Sequence, residues 1–385
     1  MPPLPVSSVF LSQERLHDAW HGRLDCAIAF TNIEELNPGF DRHMLADIYK
    51  PRDAVVGALD LGLLPPDATV MMDHDFMLTV GGHPVADQLS PSLAADPEAV
   101  ATILATRRPV QDVAGEMMLA ARFGIATWGH WLSELLPKVV VVENRFPGRF
   151  TYVLPTHVVH WQRIHESLLA YGITDDRIFN MEPGSDYRFS ALHALTPIWE
   201  DGAIHPQAVE LMRDSIMRIP QSEPLRRVAL LRTDTLGRNI DNIDELAPIL
   251  EGRGFRFLET ARMPFVAQAA TFRDATAVAA VLGSAMTGLL YSPAGVKVLS
   301  MAPADFGDRF FYGLTQERGG MFVDLRGTVG KAHESRARHS SFHVQPAALR
   351  AGLSALFPDD DTAEPEPDHP EIKDRLHRQP RQAMS

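Results

Sequence analysis

Cysteine is nearly missing from this sequence: among 385 residues Cys26 stands alone. One thiol closes no intramolecular disulfide and builds no cysteine-based metal cluster, a pattern that fits a reducing compartment. An excess of positive charge is lacking too. Lys and Arg number 36 against 49 Asp and Glu, a formal net charge of -13. Gripping a phosphate backbone needs a net basic face that displaces counterions, so nucleic acid is set aside as a partner. A small anion held by a few local arginines is not excluded. Long apolar runs are also absent. The longest aliphatic block, Val139-Val140-Val141-Val142, follows Pro137 and ends at Glu143-Asn144-Arg145. That falls far short of the roughly 20 residues that cross a bilayer. The first nine residues show no basic stretch followed by an apolar one, so we expect no secretory leader and a cytoplasmic protein.

What is present is an ordinary globular balance, 45% hydrophobic and 22% charged, over a length that suits two domains. The first hundred residues are rich in short extended signals, such as Ala68-Thr69-Val70-Met71-Met72 and Phe76-Met77-Leu78-Thr79-Val80 before Gly81-Gly82. Residues 1–110 therefore read as a β-rich section. From 111 to 220 strands and helices alternate: a strand at 152–154, a helix from 158 stopping at Gly172, strands at 177–179 and 191–195, and an amphipathic helix over 206–219. Pro220-Gln221-Ser222-Glu223-Pro224 breaks the pattern as a linker. Across 225–345 the rhythm is plain, with strands at 228–231, 255–258, 277–282 and 296–299 separated by helices at 243–251, 265–275 and from 285. This alternation predicts an α/β domain with a right-handed parallel sheet. A helix over 346–357 is expected to pack back across the domains. The tail 358–385, acidic and proline-rich and then basic, is expected to be disordered.

Three segments stand out chemically. In Trp128-Gly129-His130-Trp131-Leu132-Ser133-Glu134-Leu135-Leu136-Pro137 a helical reading puts His130 and Glu134 on one face. A carboxylate beside an imidazole selects one tautomer and raises its basicity, which a general base needs. The plainer alternative is a helix start with two core tryptophans and a histidine merely hydrogen-bonded there. In Leu231-Arg232-Thr233-Asp234-Thr235-Leu236-Gly237-Arg238-Asn239-Ile240-Asp241-Asn242, at the carboxyl end of a strand, Arg232 and Arg238 suit a diphosphate. They equally suit pairing with Asp234 and Asp241 on a solvated loop. In Gly283-Ser284-Ala285-Met286-Thr287-Gly288, small residues let backbone approach an anion at a helix start, or simply pack a tight turn. That turn is neither a P-loop nor the dinucleotide fingerprint. Asp73-His74-Asp75 has the shape of a cation-holding acidic pair, a pattern common by chance. His157, His160 and His165 make no zinc spacing.

In order and spacing these segments resemble glycosyltransferase family 61, whose bacterial members are often described as capsular polysaccharide biosynthesis proteins. The resemblance rests on Trp128-Gly129-His130-Trp131 with Glu134 and Pro137, and on Arg232, Arg238, Ile240, Asn242, Glu245 and Leu246. Gln268, Phe272 and Ala275 follow, and then Gly283, Leu289, Leu290, Tyr291, Pro293 and Gly295. The 283–288 turn lacks the His and Asn common there in the family. The resemblance implies a GT-B-like architecture: two Rossmann-like domains facing across a cleft, here behind the β-rich N-terminal section. Residues 111–220 would take the acceptor side and 225–345 the nucleotide sugar. It implies an inverting, metal-independent transfer from a nucleoside diphosphate sugar to a glycan or lipid-linked acceptor hydroxyl in polysaccharide biosynthesis. His130 is the implied catalytic base, with Glu134 orienting it. Arg232, Arg238, Asn242, Gly283, Ser284, Thr287 and Gly288 form the implied substrate site. Neither a metal nor a cofactor beyond the donor substrate is expected, and an oligomer is compatible. No basic amphipathic helix suits a membrane surface, so lipid-linked acceptors would be met through partners. Two alternatives stand beside this reading: a non-catalytic scaffold or regulatory subunit, favoured by the altered turn, and a metal-dependent transferase using Asp73 and Asp75.

Overall fold

The computed structural model describes residues 2–25, 28–32, 49–106, 108–159, 162–200, 202–217, 224–230, 237–304, 306–331 and 339–360. Arg232, His160, most of the expected linker and residues 361–385 of the tail lie outside them. The chain divides into two compact units. Unit 1 comprises Met1–Leu24, Arg52–Pro220 and Pro264–Arg273; unit 2 comprises Asp25–Pro51, Gln221–Met263 and Asp274–Ser385.

Unit 1 is built on a mixed nine-stranded sheet. One half is parallel, in the order Ile178–Met181, Thr151–Pro155, Val110–Leu119, Asp186–Leu195. The other half is antiparallel, made of Thr69–Met71, Met77–Val80, His83–Pro84, Leu59–Leu63 and Ser12–His17. The ten-residue strand Asp186–Leu195 joins the halves. One of its edges runs parallel to Val110–Leu119; the other pairs with Thr69–Met71 and, further along, with Leu59–Leu63. A sequence boundary at 110 therefore crosses a continuous sheet. Composition shows where strands occur but not which edges they share. Helix Pro97–Ala105, opened by the Asp96 carboxylate accepting from the Ala99 N–H, covers the hairpin by packing Val100 against Met71, Met77 and Leu89. Of the expected helix from 158, the described residues form the helical stretches Thr156–Val159 and Gln162–Ala170.

Unit 2 holds the parallel sheet that the alternating pattern predicts. Its order is Arg256–Leu258, Arg227–Leu230, Ala277–Val281, Lys297–Pro303, Met321–Val329, which in chain order is 2-1-3-4-5. Inside the edge strand Arg256–Leu258 these strands are largely buried and rich in Val, Ala and Leu, as a sheet covered on both faces requires. Two short pieces extend it: Phe342–His343 antiparallel and Ile28–Thr31 parallel to Met321–Val329. The second explains why residues far back in the chain belong to this unit. Asn32 donates from its side chain to the Arg326 carbonyl (2.8 Å) and accepts from the Arg326 N–H (2.7 Å), continuing the ladder with an amide. Helix Pro346–Leu356 buries Leu349, Leu353 and Leu356 with Val323 and Leu325 in the core of this same unit.

Candidate active site

In unit 1 the His130 segment is helical but not regular. Trp128–His130 forms a first turn, Trp131–Leu135 a π-helical turn, and Leu136–Arg145 an α-helix. The cause lies in Pro137, which has no N–H and whose ring crowds the carbonyl four residues back. A wider turn accommodates both, with the Leu136 N–H reaching the Trp131 carbonyl five residues earlier. Trp131 is fully buried and its indole N–H donates to Ser167 Oγ (2.8 Å), which in turn donates to the Ile164 carbonyl (2.7 Å). The turn that carries His130 is therefore locked on its inner side.

On its outer side His130 Nδ1 meets Glu134 Oε1 at 2.5 Å. The histidine side chain is 40% exposed and the glutamate 11%. No described residue bonds Nε2. The second carboxylate oxygen, Oε2, pairs with Arg122, whose guanidinium lies over the Phe123 ring (4.4 Å). Phe123 in turn lies beside the imidazole, with ring centroids 6.2 Å apart. Lys138, one turn beyond Glu134, is buried and donates to the Leu195 carbonyl (3.0 Å). Burial opposes ionisation of Glu134. The His130 hydrogen bond and the charges of Arg122, His130 and Lys138 outweigh it and hold the carboxyl below its ordinary value. Burial, helped by the Arg122 charge, brings the Lys138 ammonium down to about 8. An ionised Glu134 accepts the Nδ1–H, which leaves the Nε2 lone pair as the basic position.

In unit 2 the strand order reverses between Arg227–Leu230 and Ala277–Val281. Beyond the carboxyl ends of strands at such a switch point, open α/β sheets bind ligands. The loop from the first strand and the 283–288 turn from the second both leave from there. Arg238 ties them together: its Nη1 donates to the Leu282 carbonyl (2.6 Å) and its guanidinium lies over Phe306 (4.8 Å). Arg238 has φ 58° and follows Gly237 at φ 100°. A Cβ on Gly237 would sit 2.2 Å from the His339 carbonyl oxygen, so only glycine fits there. The loop is then held by main chain, with Arg238 N–H donating to His339 O, Asp241 N–H to Phe342 O and Phe342 N–H to Asn239 O. Asn242 is buried, donates to the Val344 carbonyl (2.9 Å) and accepts from the Val344 N–H (3.1 Å). It shapes the loop and touches no open space.

The 283–288 turn opens a 3-10 helix, Ser284–Tyr291, where the sequence suggested an ordinary helix. Ser284 and Ala285 are half-buried, while Gly283, Thr287 and Gly288 are buried. The leading N–H groups of a helix have no partner within it, and here they belong to the half-buried residues. The Thr287 hydroxyl is fully enclosed without a hydrogen-bond partner among the described residues. The Asp73-His74-Asp75 segment lies elsewhere, in the turn of the Thr69–Val80 hairpin. Asp73 is paired with Arg108 and accepts from the Gly184 N–H (2.9 Å), and Asp75 takes φ 55°. Among the described residues no three His, Cys, Asp or Glu side chains gather to hold a metal ion.

Residues 128–299 match the family model Glycosyltransferase 61. Over that segment the chain is similar to glycosyltransferase family 61, which supports a transferase. Among solved structures it is similar to the crystal structure of the bacterial iron-containing dodecameric glycosyltransferase TibC from enterotoxigenic E. coli H10407. That likeness covers 78% of this chain and 93% of the other, at 9% identity and a TM-score of 0.30, and we draw nothing further from it. A comparison with curated protein sequences finds no match.

The matched segment of this transferase contains His130, Glu134, Arg238 and Asn242 and the 283–288 turn. It leaves out Arg122, which sequence reasoning also missed. The chain reverses between Arg122 and His130 through a turn at Gly124, so no helical spacing links them. Lys138 was legible in principle: it stands four residues after Glu134, the same interval that flagged the histidine.

Proposed function

We propose that this transferase moves a sugar from a nucleoside diphosphate sugar to a hydroxyl of a glycan or lipid-linked acceptor, with inversion and without a metal ion. The observation that carries the reading is the His130–Glu134 contact of 2.5 Å, with Nε2 bonded by no described residue. Inversion needs one base on the acceptor and charge stabilisation on the leaving group, with no covalent intermediate. His130 Nε2 takes the proton from the acceptor hydroxyl as its oxygen attacks the anomeric carbon. The imidazolium that forms is stabilised by the Glu134 carboxylate, which Arg122 keeps ionised. On the leaving side, Arg238 and Arg232 neutralise the diphosphate, and the N–H groups of Ser284 and Ala285 supply hydrogen bonds. Asn242 acts through the loop it pins. In this reading the two units are the halves of a GT-B arrangement, unit 1 taking the acceptor and unit 2 the donor, in polysaccharide biosynthesis.

The test is turnover of a His130→Ala variant with a matched donor and acceptor, alongside NMR assignment of the anomeric configuration of the product. A loss of about 100-fold to 10,000-fold with an inverted product is expected. Unchanged turnover removes the base assignment, and a retained configuration removes the single-displacement chemistry. Activity that disappears in a chelator and returns with manganese would remove metal independence.

A further inference from the structure

A pocket lies in unit 1, apart from every residue assigned above. The turn between strands Ser12–His17 and Trp20–Leu24 and the start of helix Pro206–Met217 enclose about 500 Å³, lined in part by Arg15, His17, Asp18, Trp20 and Gln207. That volume falls in the range of small-molecule sites. Its aromatic wall is unusual in how it is made. The benzo half of the Trp20 indole lies where a side chain on Gly22 would be: a Cβ there would come within 2.0 Å of Trp20 Cζ2. The glycine lets the ring lie flat along its own strand, packed against Leu24, Ala54, Val56 and Ala203. The turn is fixed as well. His205, fully buried, has its Nε2 2.9 Å from the Asp18 carbonyl oxygen, leaving the Asp18 carboxylate outside and 93% exposed.

A tryptophan in the lining with carboxylate, amide and imidazole side chains beside it is the chemistry that recognises a sugar ring, whose C–H face is apolar and whose edge is all hydroxyl. The charges narrow the class further. Arg15 is bound to Asp60 (2.6 Å) and approached by Asp18 (3.4 Å), so two carboxylates face one guanidinium. Burial holds the His17 imidazole below its ordinary value, so it adds no positive charge near neutral pH. The pocket therefore repels a uronate or another acidic sugar.

We propose that this pocket is a second saccharide-binding site, taking one neutral sugar residue with its C–H face against Trp20 and its hydroxyls on Asp18, His17 and Gln207. It rests on the reading that the acceptor is a glycan, and it holds a part of the chain away from the transfer point.

Binding is measured without donor, so it does not depend on turnover. With 5-fluorotryptophan incorporated, the five tryptophans give separable fluorine signals, and Trp20→Phe assigns its own. Cellotetraose, xylotetraose, mannotetraose and maltotetraose are titrated, with tetragalacturonate as the acidic control. The expected result is a saturable shift of the Trp20 signal by at least one neutral tetraose at millimolar concentration and none by tetragalacturonate. Asp18→Ala and Gln207→Ala remove exposed side chains, keep the fold, and should raise Kd at least tenfold; His130→Ala should leave Kd unchanged. No shift with any neutral tetraose, an equal response to tetragalacturonate, or unaltered binding in both variants would overturn the proposal. Loss of turnover in His130→Ala with no saccharide response at Trp20 would leave the transfer chemistry standing and remove only this site.

Discussion

Around His130 ionisable side chains do the holding, while around Arg238 the main chain does. In unit 1, Glu134 holds the imidazole and Arg122 and Lys138 set the charge of Glu134, from a neighbouring loop and the same helix. In unit 2, a glycine of positive φ, a ladder of peptide hydrogen bonds and one buried amide set the loop, and a carbonyl and an aromatic ring receive the arginine. The contrast fits the tasks proposed for the two regions. A base must be tuned, and tuning needs charges that respond to protonation. An anion cradle needs only shape and fixed dipoles, which backbone supplies without reorganising.

The comparison breaks most easily at Glu134. Glu134→Gln leaves Arg122 without its carboxylate in a site where both are largely buried, and a loss of about 3 kcal/mol in denaturant unfolding is expected. Turnover should fall by roughly 10-fold to 100-fold as the imidazolium loses its partner. The acid limb of stability should change too. Because the native carboxyl lies below its ordinary value of 4.5, its pairing is fully present above that pH and is lost as pH falls through the lower native value. The glutamine variant should lack this acid-side loss.

Lys138 gives the opposite sign. Below about pH 8 the ammonium is charged in both states and the cost of burying it is complete. Between about 8 and 10.5 the native amine is neutral while the unfolded chain still binds the proton, so stability should rise with pH by on the order of 3 kcal/mol. Lys138→Met should flatten that rise, as read from urea midpoints across the window. In unit 2 the effects should be smaller and of another kind. Asn242→Ala strands the buried Val344 peptide groups and should cost about 1–3 kcal/mol by calorimetry. Arg238→Ala should raise the donor KM about tenfold, near 1.4 kcal/mol, with little change in melting temperature.

The two regions also differed in how far they could be read beforehand. The parallel sheet of unit 2 was visible because buried strands and crossover helices alternate in a fixed rhythm, and each strand's neighbours follow from right-handed connections. The mixed sheet of unit 1 was not, since the second edge of Asp186–Leu195 is filled by strands more than a hundred residues earlier. The nine-residue strand Met321–Val329 escaped notice because Asp324 and Arg326 interrupt its apolar run; the two are paired with each other in full burial. His130 with Glu134 could be found from an interval of four. Arg122 needed the turn at Gly124, and the Leu282 carbonyl that receives Arg238 needed the sheet itself.

The π-helical turn at Trp131–Leu135 has a consequence for how the histidine came to point where it does. Such a turn amounts to one extra residue within an otherwise α-helical path, and one residue advances a helix by about 100°. The half that follows, Leu136–Arg145, is anchored by its buried valines and cannot rotate. Removing a single residue from the wide turn would restore a regular helix while swinging everything before it round the axis. His130 would then leave the azimuth it shares with Glu134 and Arg122. The phase of the helix, as much as the identity of its side chains, places the histidine.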